Sequence, residues 1–228
     1  LFMSIAIVMA FFLPDILFPR DSGTWSGYWF TLVLNSLHLT EGTTAVTHWS
    51  TWNQLNQSIS GTIERLFSFS ENPNKDAVDV RILTLSASSI SYVTNIARIL
   101  VLGVLFSAFY KPSNTPIVFR RFCQGALLVC GMLLLSPMSS KAHFFLLLLP
   151  GCVMVRFYLW EKRDWILTSI FVIMFLYGTL TVKDLVGTHI GHAVLATGSV
   201  TWCTLLAMLG TWRVMSQVSS DSSCSKKQ

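Results

Sequence analysis

The chain reads as an all-α, multi-pass transmembrane helical bundle. Three observations predict it: 52% of its 228 residues are hydrophobic, only 12% are charged, and the apolar residues gather into six stretches. Soluble domains carry about twice that share of charge, roughly 25%. Mean hydropathy is +0.57. A soluble domain, a disordered chain and a disulfide scaffold are therefore excluded. The net charge of +5 is spread over short loops, so it reads as a topology signal and nucleic acid is not an expected partner.

The first apolar stretch runs from Leu1 to Leu17 and is bent by Pro14. The second is Ile90–Tyr110 and the third Phe122–Leu135. The fourth is His143–Trp160, the fifth Trp165–Leu180 and the sixth Ala193–Trp212. A membrane span needs about 17–25 residues, so the third and fifth must recruit flanking residues. About six spans are expected. The chain starts inside an apolar run with no basic segment before Met3, which reads as the C-terminal part of a longer protein.

Lys and Arg set the orientation. Lys111, Arg120 and Arg121 lie in one loop, Arg156, Lys162 and Arg163 in the next alternate loop, and Arg213, Lys226 and Lys227 in the tail. The intervening turns hold only Lys141 and Lys183. By the positive-inside rule the C-terminus is cytoplasmic. The turn at Ser136–His143 and the long segment from Pro19 to Ser89 then face outside. Trp160, Trp165 and Trp212 mark the cytoplasmic interface. Residues 1–215 are expected to form the membrane part and 216–228 a disordered, Ser-rich cytoplasmic tail.

The outer segment 19–89 is too long for a turn and too apolar to be disordered. Trp25, Tyr28, Trp29, Phe30, Leu32 and Leu34 read as interfacial. Thr51–Phe67 reads as an amphipathic helix, with Leu55, Ile59, Ile63 and Leu66 or Phe67 at helical spacing. Ser68–Ala77 is the polar loop after it.

Few residues can carry chemistry. The turn between the third and fourth stretches holds Ser136, Pro137, Ser139, Ser140, Lys141 and His143. Lys141 can hold a phosphate, and His143 can hold one or move a proton. An ordinary helix hairpin with a snorkelling lysine fits the same residues. Asn56-Gln57-Ser58 can hydrogen-bond sugar hydroxyls, cap a helix, or form part of a solvated helix face. It also matches the N-glycosylation acceptor pattern. Arg98 lies about a third of the way into the second stretch from outside. It either neutralises a lipid phosphate or snorkels outward. Glu64 and Arg65 are expected to be solvated. His189 and His192 lack a third ligand, His38 and His48 are isolated, and Asp15 reads as a helix-end residue. No metal site or cofactor is evident, and the cysteines lack metal spacing.

Two of these segments together resemble glycosyltransferase family 87. Leu134-Leu135-Ser136-Pro137-Met138-Ser139-Ser140-Lys141-Ala142-His143, followed by Leu146–Pro150, resembles that family's "LLSP-x-S…HH…LLLP" hairpin. Asn56-Gln57-Ser58-Ile59-Ser60-Gly61 with Arg65-Leu66 resembles its "NQS-x-x-x…R-L" helix. The chain differs at Ser140 and Ala142, where the family has a Trp and the first of two His; His143 matches the second. The resemblance implies a GT-C-like fold and a hexosyltransferase. Such an enzyme moves a hexose, mannose in many members, from a polyprenol-phosphate donor to a lipid or glycan acceptor. It implies work at the outer face of the cytoplasmic membrane, with membrane lipid as surroundings. It also implies substrate contacts from His143, Lys141, Ser139, Asn56, Gln57, Ser58 and Arg98. The acidic general base of the family belongs to an earlier outer loop, so the catalytic residue is expected outside this chain and the chain alone is expected to be inactive. A non-catalytic or decayed membrane partner and a transporter subunit are the alternatives. A transporter predicts paired broken helices and ionisable residues at mid-membrane.

Overall fold

A computed structural model describes residues 8–9, 12–13, 15–19, 22–28, 30–31, 53–68, 78–110, 116–136, 139, 141–161 and 163–224. The side chains of 141–143 and 219–224 are outside that description, as are Trp29, Leu32, Leu34 and nearly all of Ser68–Ala77. The described residues are all-helical.

The chain divides into two compact units, Leu1–Gly42 and Thr43–Gln228. In the first, the Asp15 carboxylate accepts from the Trp25 amide and from the Ser26 hydroxyl, the latter at 2.6 Å. It thereby caps the helical turn at residues 25–28, where a negative charge meets unpaired amides. Trp25 Nε1 donates to Phe18 O at 2.6 Å. Asp15 is a helix-end anchor, as the sequence suggests.

The second unit holds eight α-helices and one 3₁₀ segment among the described residues. Helix α1 is Ile59–Phe67, capped by Ser58, whose hydroxyl accepts from Gly61 N at 3.1 Å. It begins later than Thr51. Its last carbonyls are met by the irregular run leading to the next helix: Ile82 N donates to Leu66 O and Leu85 N to Phe67 O, at 2.9 and 2.8 Å. Helix α2 is Ala87–Tyr110, 24 residues and about 36 Å long at 1.5 Å per residue. Only one stripe of it is packed, through Thr94, Val101 and Ala108. The rest of its surface, including Tyr92, Ile99, Leu100 and Phe106, is apolar and exposed, as a lipid-facing helix requires. Helix α3 is Ile117–Leu135. Its Gly131 lies where a Cβ would come 2.5 Å from Leu105, so the missing side chain sets how closely α2 and α3 approach.

The chain then forms a 3₁₀ segment, Lys141–Leu147, before α4, Leu148–Trp160. Helix α5 is Trp165–Leu180, α6 Lys183–Val186, α7 Thr188–Ala196 and α8 Ser199–Cys224. Helix α8 is central and packs on α3, α4, α5 and α7. Leu127, Leu134, Met154, Phe157, Leu167 and Met208 fill the core between them.

Two helices, α2 and α3, are long and apolar enough to cross a membrane; α7 and α8, bent by 54°, make a third if taken as one span. That is two to three where six were expected. The fourth stretch loses its first residues to the 3₁₀ segment, and the fifth is only the 16 residues of α5. At about 24 Å, α5 falls short of a hydrocarbon core of about 30 Å. The sixth is broken at Thr197–Gly198. Most of the first stretch lies outside the described residues. The last helix also runs to Cys224, past Ser216, where composition predicts a disordered tail. Packing explains the nearer part of that extension: Gln217 is tied to Asp164, and Val218 packs against the core.

Asp164 is a clamp between helices. It caps α5, accepting from Ile166 N at 2.9 Å, and its other oxygen accepts from Arg213 Nε at 2.6 Å and Gln217 Nε2 at 2.9 Å. Burial alone would raise its carboxyl, but the Arg213, Ile166 and Gln217 hydrogen bonds and the Arg213 charge hold it below the ordinary 3.8. A depressed folded-state value gives stability that is present above the unfolded value and lost as pH falls through the folded one. The thermal midpoint of the purified protein is therefore expected to fall on acidification below 3.8. Asp164→Asn should lower the midpoint at neutral pH and flatten that acid limb. An unchanged acid limb in the variant would assign it to other carboxylates.

Candidate functional site

The polar residues of α1 and its leading turn sit inside the protein. Asn56, Gln57 and Ser58 are fully buried, and Arg65 is only 3% exposed. Spacing explains how one short helix buries two kinds of surface. Ile59, Ile63 and Leu66 form its apolar stripe, with Ile59 and Ile63 in the core. Ser58, Thr62 and Arg65, at i, i+4 and i+7, form a polar stripe beside it. The polar stripe meets the break between α7 and α8.

That break exposes carbonyls that a continuous helix would satisfy. Gly198 ends α7 with φ +80°, and its missing side chain makes room for Thr62. Ala196 O accepts from Arg65 Nε at 2.9 Å, and Leu195 O accepts from Gln57 Nε2 at 2.8 Å. A guanidinium at a helix C-terminus also meets the negative end of the helix dipole. Arg65 Nη1 donates to Asn53 O at 2.9 Å and to Asn56 O at 2.7 Å, so the same side chain folds its own leading turn. Arg65 Nη2 reaches Thr62 Oγ1 at 3.4 Å, Thr62 meets Thr201 at 2.8 Å, and Thr201 donates to Gln57 O at 2.8 Å. Burial pushes the Arg65 guanidinium down to about 10, with the Glu64 charge opposing; it is still a cation at neutral pH. The expectation of a solvated Arg65 is thus corrected: the helix packs its polar stripe inward, against the backbone at the break between α7 and α8.

The hairpin between α3 and the 3₁₀ segment joins this cluster. Gln57 N donates to Ser139 O at 2.7 Å, and Asn56 Oδ1 accepts from Ser58 N at 3.2 Å and Ser139 N at 3.5 Å. Ser139 is buried, and its hydroxyl donates to Leu133 O at 2.6 Å, near the end of α3. The Asn56–Ser58 turn and the hairpin, about 80 residues apart, are therefore one structure. Lys141 and His143 follow at once, in the backbone of the 3₁₀ segment; their side chains lie outside the described residues.

Arg98 stands apart. It is the twelfth of the 24 residues of α2, halfway along rather than a third. It is half-buried, with no hydrogen bond or ion pair among the described residues, and no hydrogen bond ties it to the turn or to Ser139.

Sequence reasoning missed Thr62, Thr201 and Gln54, and it gave Arg65 and His192 no part in this cluster. Gln54 Nε2 and His192 Nδ1 lie 3.0 Å apart, so one ring nitrogen of His192 pairs with an amide. The i, i+4, i+7 polar stripe of α1 was the available signal. Gln54 and Gln57 each have a buried side-chain oxygen with no hydrogen-bond partner among the described residues. Such oxygens accept from a hydroxyl or from water. His192 and Leu195 are one turn apart on α7, so the two amides lie along one side of that helix. No cluster of metal-ligating groups occurs among the described residues.

No family model, curated protein or solved structure matches the chain.

Proposed function

We propose that the chain is the donor- and acceptor-binding membrane part of a hexosyltransferase that uses a polyprenol-phosphate sugar, with mannose as the sugar and a lipid or glycan as acceptor. The observation that carries this reading is the Gln57 N to Ser139 O hydrogen bond at 2.7 Å. It welds the two segments that resemble glycosyltransferase family 87 into one buried turn, beside the backbone that bears Lys141 and His143. Apolar helix surface suits a polyprenyl tail. Lys141 and His143 supply the cations or N–H donors a lipid phosphate needs, and Gln57 holds the turn beside them. Ser139, Asn56 and Ser58 act through shape: their polar groups hold the turn. Arg98 is a second phosphate contact in this reading. The Lys and Arg pattern puts the turn on the outer face of the cytoplasmic membrane and the C-terminus inside. An acidic residue that deprotonates the acceptor hydroxyl is the remaining requirement.

A second reading, a non-catalytic membrane partner, is favoured by one fact: Asn56, Gln57 and Ser58 are fully buried and bonded to the protein's own backbone. The experiment that separates them uses membranes containing the complete gene product and radiolabelled polyprenol-phosphate mannose. Label is expected to pass into lipid or glycan, and His143→Ala should lower transfer about tenfold or more, the scale of one charge-assisted hydrogen bond to the donor phosphate. Full transfer by the variant removes His143 from the site. No transfer from any lipid-linked sugar leaves the partner reading.

A further inference from the structure

The opposite end of the bundle carries a second feature, independent of the outer turn. A cavity of about 380 Å³ opens between the start of α3 and the ends of α4 and α8, lined by Val118, Phe119, Phe122, Val218, Arg156 and Glu161. That size is in the range of small-molecule sites, roughly 300–1,000 Å³. Four of these residues are apolar, and two carry opposite charges. The Arg156 guanidinium lies 4.6 Å from the centre of the Phe119 ring. The ring fixes the plane of the cation, yet Arg156 has no hydrogen bond or ion pair among the described residues. Glu161 lines the same cavity and forms no salt bridge with it. A cation and an anion that share a cavity without meeting are complementary to a dipolar guest. The guest must also be apolar at one end. Val118 and Phe122 are exposed at the end of a helix long and apolar enough to cross a membrane.

We infer that this cavity binds a phospholipid with a phosphoethanolamine headgroup, drawn from the surrounding membrane. The phosphate meets the N–H edge of Arg156, which donates in a fork suited to phosphate oxygens. The primary ammonium donates to the Glu161 carboxylate, and an acyl chain runs along Phe122, Val118 and Val218. Choline headgroups have no N–H to donate to Glu161, and glycerol headgroups have no cation for it.

The test is native mass spectrometry of the full chain released from nanodiscs, each containing phosphatidylethanolamine, phosphatidylcholine or phosphatidylglycerol in a neutral diluent lipid. Retention of phosphatidylethanolamine above the other two is expected. Arg156→Gln should weaken retention of phosphatidylethanolamine about tenfold, the scale of one charge-assisted hydrogen bond. Glu161→Gln should leave phosphate binding in place and erase the preference over phosphatidylcholine. Helix content by circular dichroism guards against misfolded variants, and Glu161→Gln, at an exposed helix end, tests selectivity with Arg156 intact. Equal retention of the three lipids, or preference for phosphatidylglycerol, overturns the inference. So does a phosphatidylethanolamine preference that survives both substitutions.

Discussion

Arg65→Ala is expected to lower the thermal midpoint of the purified protein by roughly 6–20 °C, from a loss of about 3–5 kcal/mol at 2–4 °C per kcal/mol. The magnitude follows from what the guanidinium holds. Ala196 O, Asn53 O and Asn56 O all accept from it within 3.0 Å, and the residue is 3% exposed. Alanine leaves Ala196 O and Asn56 O without that donor in a dry interior, where each unmet group costs about 1–3 kcal/mol, while Asn53 O keeps the Asn56 amide at 2.8 Å. Arg65→Lys keeps the charge but not the fork, so it cannot span acceptors on two segments. An intermediate loss is expected. The measurement is thermal unfolding in detergent followed by size-exclusion recovery. A midpoint shift under about 2 °C for Arg65→Ala, below 1 kcal/mol on the same scale, would show that water can enter and replace the guanidinium.

The parts of the fold that were legible in the sequence depend on local signals. The bounds of α5, Trp165–Leu180, match the apolar stretch read from the chain, since Asp164 is a helix cap written next to a hydrophobic run. The end of α1 at Phe67 is likewise local. Where partners are distant, the signal is lost. Nothing near Arg65 in sequence says that a helix will break 131 residues later, at Ala196. Nor does Asp164 announce Arg213, 49 residues on. The sixth apolar stretch looked continuous because composition averages over Gly198, whereas the backbone there is set by what α1 brings against it. The pairing of the Asn56–Ser58 turn with the hairpin is a different case. Those segments were singled out together, by resemblance and by their polar content in an apolar chain, and Gln57 and Ser139 do meet. Of the alternatives for Asn56–Ser58, the solvated face is not the one formed: Ser58 caps α1, and the turn is buried against protein backbone.

Gly198→Ala is the second large effect, and it tests whether the break in α7–α8 is imposed from outside the helix. Two costs act at this position. The φ of +80° disfavours any side chain by about 1–2 kcal/mol. A Cβ would also lie 2.2 Å from Thr62 Cγ2 and 2.6 Å from Thr62 Oγ1, an overlap that adds about 1–3 kcal/mol. A loss of about 2–5 kcal/mol is expected from the sum. The two costs separate in a double-mutant cycle with Thr62→Ala. That change removes the overlapping atoms but also the hydroxyl bonded to Thr201, so alone it is destabilising. If overlap matters, the double variant is more stable than the sum of the singles predicts, by about 1–2 kcal/mol of coupling. Simple additivity would mean that the backbone conformation is the whole cost. The coupling bears on the Asn56–Ser58 turn because break and cap depend on each other. In an unbroken helix Ala196 O would accept from Val200 N, four residues on. With the break, it accepts from Arg65 instead. Straightening α7 into α8 would satisfy those carbonyls internally and leave Arg65 buried without them. The guanidinium and the glycine therefore hold one another's alternative structures unfavourable, and the turn that ends at Ser139 is placed by both.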